Sequence, residues 1–193
     1  MSASLVRDVV VVPSTLALLP EYAGLADPVA DLRAACREAV GWLVERNPTH
    51  VDVVGAPARP DNEARGVTRP ASVAIARHLL LEADFHGSIG ALASSGVLVV
   101  ANGSATRTEK APGHLDDRAH AFDEVIGTAL RDGDPAALRD LDPVLGAELW
   151  CHDVPAWQQL GALVTEPVGS VQVDFEDDPY GVQYWVVRWT CGS

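Results

Sequence analysis

The chain has 193 residues, 48% of them apolar, and carries 27 acidic against 14 basic side chains for a formal net charge of −13. That length and apolar content suffice for one sizeable core, so a single domain over residues 1–193 is expected. The acidity opposes non-specific association with nucleic acid or with an anionic membrane surface, and neither is expected as a partner.

Three cysteines, Cys36, Cys151 and Cys191, form no C-x-x-C pair and are odd in number. They read as reduced thiols of a cytoplasmic protein. Arg7 followed by Val9-Val10-Val11-Val12 mimics a short signal peptide, but Asp8 precedes the run and Pro13 interrupts it. A buried first strand is the expected reading. No stretch approaches the roughly 20 apolar residues that a membrane-spanning helix needs.

The first strand runs from Asp8 to Val12 and gives way to a loop, Ser14 to Ala26. Asp27 is placed to cap a helix and Pro28 suits its first position. Val29, Leu32, Cys36, Val40 and Leu43 then recur at helical spacing up to Asn47-Pro48. A second strand, His50 to Gly55, completes a β-α-β unit, so the two strands should be parallel with a right-handed crossover. Ala56 to Pro70 is rich in Pro, Gly, Arg and Asp and reads as a long mobile loop at the same sheet edge. A helix over Ala71–Glu82 follows, whereas Asp84–Ser95 is too weakly patterned to assign.

Gly96-Val97-Leu98-Val99-Val100 is an uninterrupted apolar run, the mark of a central strand covered on both faces. A polar run, Asn102 to Lys110, leaves its carboxyl end, where α/β sheets bind ligands. A long helix from about Asp116 to Arg131 carries the stripe Ala119, Phe122, Val125, Ile126 and Leu130. Gly133-Asp134-Pro135 opens a short helix, Asp142-Pro143 another over Val144–Trp150, and Asp153 can cap a last one through Val164. Two strands, Val168–Glu176 and Val182–Cys191, flank the turn Asp177–Gly181 and should be antiparallel. Trp185, Val187 and Trp189 share one face of the last strand. They read as core, with an exposed aromatic face supporting a homodimer as the alternative. The fold class expected is α/β: a mixed β-sheet flanked by helices on both faces, with a C-terminal antiparallel hairpin.

The stretch Val97–Ser104, continued by Glu109-Lys110-Ala111-Pro112-Gly113 and Phe122-Asp123, resembles the class III extradiol ring-cleavage dioxygenase (LigB-like) superfamily. It is more similar still to small bacterial members of that superfamily. Gly133–Leu138, Leu141-Asp142-Pro143, Ala156-Trp157-Gln158, Asp177–Val182 and Leu19-Pro20-Glu21 agree with it, so the resemblance covers about two thirds of the chain. It implies a mixed sheet between helices and a non-haem iron held by two histidines and a carboxylate, with a further histidine for acid–base work. The histidines do not carry over. Pro13-Ser14-Thr15 stands where the first should follow strand one, and Gly55-Ala56-Pro57 where the second should follow strand two. Ala105-Thr106 replaces the catalytic one. The resemblance therefore implies a degenerate member without iron and without ring cleavage, acting as a small-molecule binding or accessory protein.

Two alternatives remain open. One is an enzyme of different chemistry that holds a small anionic substrate through Asn102, Ser104, Arg107, Glu109 and Lys110; an arginine and a lysine at a strand's carboxyl end suit a carboxylate or phosphate. Against it stands the reading of Arg107–Glu109 and Lys110 with Asp116 or Asp117 as loop-fixing ion pairs. Ser104 as a nucleophile lacks the second glycine of an elbow and a His/Asp partner. The other alternative is a genuine dioxygenase with relocated ligands such as His50, His114 or His120. No H-x-x-x-H spacing supports it, and scattered histidines are more often surface or packing residues.

Overall fold

A computed structural model describes residues 6–22, 27–46, 48–58, 64, 70–90 and 96–192. In chain order the elements are β1 (Asp8–Val12), α1 (Ala30–Glu45), β2 (His50–Gly55), α2 (Ala71–Glu82), β3 (Ser88–Ile89) and β4 (Gly96–Val100). Then come α3 (Ala119–Asp132), α4 (Pro135–Arg139), α5 (Pro143–Glu148), α6 (Val154–Leu163), β5 (Val168–Asp177) and β6 (Tyr184–Cys191). Two 3-10 turns, Leu16–Leu18 and Pro20–Tyr22, follow β1. Most of the expected Ala56–Pro70 loop lies outside the described residues.

The six strands form one mixed sheet in the order β3-β2-β4-β1-β6-β5. β4 is central and pairs in parallel with β1 on one side and β2 on the other. The short β3, which the weak pattern of Asp84–Ser95 concealed, extends the parallel half beyond β2. β6 runs antiparallel to β1 and β5 antiparallel to β6, so the C-terminal hairpin is present as expected.

The apolar runs of β1 and β4 are buried at every position because both faces of the sheet are covered. Side chains alternate across a strand, so Val9, Val11, Val97 and Val99 enter one core while Val10, Val12, Leu98 and Val100 enter the other. The first core is closed by α3 and α6 and takes in Trp157, Trp185, Val187 and Trp189. The second is closed by α1 and α2 through residues such as Cys36, Val40, Leu43, Ile75 and Leu79. Trp185, Val187 and Trp189 are thus core residues, and no aromatic face is left on β6 for a dimer contact.

Helix starts follow local chemistry with two departures. Asp134 and Asp142 each accept two backbone N–H groups at the starts of α4 and α5, each with a proline at the opening position. Asp27 instead sits before its helix, where it accepts the Val29 N–H and grips Arg33, and α1 opens at Ala30. Asp153 stands at the N-cap of α6 but gives its side chain to other partners. No helix among the described residues is long and apolar enough to cross a membrane.

Candidate functional site

The carboxyl ends of β1, β2 and β4 open on a cavity of about 900 Å³. Its wall is built from the segments that leave those strands: Ser14–Ala17 after β1, Ala56–Ala58 after β2, and Asn102, Gly103 and Ala105 after β4. Trp150, His152 and Asp153, in the connection between α5 and α6, complete it with Tyr22, Ser72 and Tyr184.

One hydrogen-bonded knot fixes the floor. Asn102 Oδ1 accepts the Ser14 backbone N–H at 2.8 Å, clamping the exits of β1 and β4 together. The Asn102 N–H donates to Asp153 Oδ2 at 2.8 Å, and Ser14 Oγ donates to the same carboxylate oxygen. The Asn102 carbonyl accepts the Trp157 indole N–H at 3.0 Å. Asn102 is therefore held through its amide, its carbonyl and its side chain at once. Burial pushes the Asp153 carboxyl above the ordinary carboxylate range, against the pull of the hydrogen bonds from Ser14 and Asn102.

A second knot lies behind the cavity wall. Ser104 is fully buried, and it donates both its N–H and its hydroxyl to Asp123, at 2.7 and 2.6 Å. Arg107 bridges Asp123, at 2.9 Å, and Asp178. Burial raises the Asp123 carboxyl pKa, opposed by Ser104 and Arg107. Gly103 is required by this crowding: a Cβ there would stand 2.6 Å from Asp123 Oδ1, 2.8 Å from Gln183 Cβ and 2.9 Å from a Trp185 ring atom. Because those neighbours are held on all sides, Gly103→Ala should destabilise the protein by about 1–3 kcal/mol, readable as a lowered urea midpoint. A neutral effect would mean that Asp123 is free to withdraw.

The five candidates of the polar run are thus divided. Asn102 lines the cavity; Ser104 and Arg107 belong to the second knot; Glu109 and Lys110 are exposed and outside the cavity lining. Arg107 pairs with Asp123 and Asp178, and not with Glu109 as the loop-fixing reading had it. Ser14 and Asp153 escaped the sequence reading as site residues, Asp153 because its position before Val154-Pro155 reads as a helix cap. Of the segments standing where the resemblance would put imidazoles, Ser14-Thr15, Ala56-Pro57 and Ala105 all line this one cavity. These side chains are hydroxyl or hydrocarbon, and among the described residues the lining offers one imidazole and one carboxylate, His152 and Asp153, short of the two histidines and a carboxylate that the iron site needs. Among the described residues, no three His, Cys, Asp or Glu side chains gather as a metal site, and His50, His114 and His120 are exposed.

No family model and no curated protein matches this chain.

Proposed function

We propose that this protein is a degenerate relative of the LigB-like superfamily that binds a small, largely apolar molecule at the carboxyl edge of its parallel strands, without iron and without ring cleavage. One observation carries the reading. Segments from three distant parts of the chain converge on a single cavity and line it with Ser14, Thr15, Ala56, Pro57 and Ala105. Such walls offer hydrocarbon surface with a few hydroxyls and amides, the usual make-up of a small-molecule pocket. An anion held by Arg107, Glu109 and Lys110 is the weaker alternative. The Arg107 guanidinium already serves two carboxylates, and no arginine or lysine is among the described residues that line the cavity.

The test combines metal content with a ligand melt. Protein purified without chelator should hold no stoichiometric iron and take up no oxygen on a catechol. A panel of small aromatic compounds should include members that raise the melting temperature of the wild type, and Ala105→Trp, which fills the cavity, should abolish that shift. Stoichiometric iron with oxygen uptake would overturn the proposal. So would ligand stabilisation indifferent to Ala105→Trp.

A further inference from the structure

Asp153 differs from the other buried carboxylates in what it lacks. Asp8 is buried and paired with Arg46, and Asp123 is buried and paired with Arg107. Asp153 is only 8% exposed, yet no arginine or lysine among the described residues is paired with it. Its Oδ2 takes the two hydrogen bonds of the floor, from Ser14 Oγ and the Asn102 N–H. Its Oδ1 receives no hydrogen bond from the described residues, and the residue belongs to the cavity lining. A buried carboxylate without a counter-charge is costly, and the cost is met either by taking up a proton or by a cation that reaches it from outside the fold.

The surroundings favour a cation as that compensation. Trp150, Tyr22 and Tyr184 supply aromatic surface to the same cavity, and aromatic faces attract organic cations. Trp150 also occupies a left-handed backbone conformation, φ 56°, just past the end of α5. Glycine is the usual residue there, so a bulky indole is held at a strained position with its ring 6.2 Å from that of His152. The chain's net charge of −13 adds a long-range attraction for cations.

We propose that the cavity binds a small organic ammonium compound, a primary or secondary amine on an apolar body, whose N–H donates to Asp153 Oδ1. The inference rests on the small-molecule reading above and narrows it to a ligand class. Asp153 is the anchor, Trp150 and the tyrosines flank the apolar body, and Ser14 with Asn102 orients the carboxylate.

Asp153→Asn is the discriminating variant. Asparagine keeps an oxygen to accept from Ser14 and Asn102 and removes only the charge. The folded state holds the Asp153 proton more tightly than the unfolded chain, so the stability linked to it is present below the ordinary carboxyl range and lost as pH rises through the raised folded value. At neutral pH the variant should therefore melt at or above the wild-type temperature. Calorimetry with phenethylamine, phenethyl alcohol and phenylacetate on wild type, Asp153→Asn and Ala105→Trp provides the readout. Expected is binding of phenethylamine in preference to the other two, weakened roughly tenfold or more in Asp153→Asn and lost in Ala105→Trp. If the alcohol binds as well as the amine and Asp153→Asn changes neither, the ammonium proposal fails while the cavity reading survives. If none of the three binds wild type, the ammonium proposal fails, and the broader aromatic panel decides the cavity separately. Preferred binding of phenylacetate would overturn it as well.

Discussion

Trp157→Ala should lower the unfolding free energy by about 3–5 kcal/mol, measured by urea denaturation at neutral pH. Trp157 is fully buried, with its ring edge-on to that of Trp185 at a centroid distance of 5.9 Å. Truncation leaves a void between α6 and the sheet that no neighbouring side chain is free to fill, because α6 also packs closely on α4. The effect should reach the cavity too, since the indole N–H that holds the Asn102 carbonyl disappears with the ring. Trp157→Phe retains most of the packing and isolates the hydrogen-bond loss, so it should cost less, about 1–3 kcal/mol. Equal losses for the two variants would refute the packing argument.

Arg107→Met is the second large effect expected, also about 3–5 kcal/mol. The guanidinium is the only cation paired with buried Asp123 among the described residues, and methionine replaces its length but not its charge. The loss should depend on pH in a definite direction. Burial already raises the Asp123 pKa in the folded state, and removing Arg107 raises it further. A carboxyl with a raised folded pKa contributes stability that is complete below its unfolded value, about 3.9, and is lost as pH rises through the folded value. The deficit of Arg107→Met relative to wild type should therefore be smaller near pH 4 than near pH 7, and Asp123→Asn added to it should recover part of the loss at neutral pH. A deficit independent of pH would show that Arg107 acts through packing alone. The same result bears on function, because a ligand effect lost in an Arg107 variant would first have to be separated from this structural damage.

The regular elements were legible where a single physical cause dominates. The valine runs of β1 and β4 have no competing reading, and the strand bounds Asp8–Val12 and Gly96–Val100 match those expected. Asp134-Pro135 and Asp142-Pro143 combine a cap with a proline, so both helix starts follow from local chemistry. β3 was not legible because two exposed residues, Ser88 and Ile89, carry no periodic pattern; their pairing is imposed by the neighbouring β2. At the site, the sequence pointed to the sheet edge where the cavity opens and to Asn102, which lines it, whereas Arg107, Glu109 and Lys110 stand outside the lining. Arg107 could be read as a ligand-binding cation or as a loop-fixing ion pair, but its partners were not legible because Asp123 and Asp178 lie 16 and 71 positions further along the chain. Asp153 failed in the opposite sense. Its local setting is that of a helix cap, and only the approach of Ser14, 139 positions earlier, turns it into the floor of a cavity.

The pairing of β1 has a further consequence for how the chain is assembled. Its five residues are flanked by β4 on one edge and by β6 on the other, so Val10 lies between Leu98 and Arg188. Val10 thus pairs with one neighbour 88 positions further along the chain and with the other 178 positions further along. Such distant pairings slow the search for the native topology. Until β6 arrives, a valine-rich edge stands bare and open to sticking to other chains. Nascent protein on the ribosome should therefore depend on chaperone cover up to the moment its closing strand emerges.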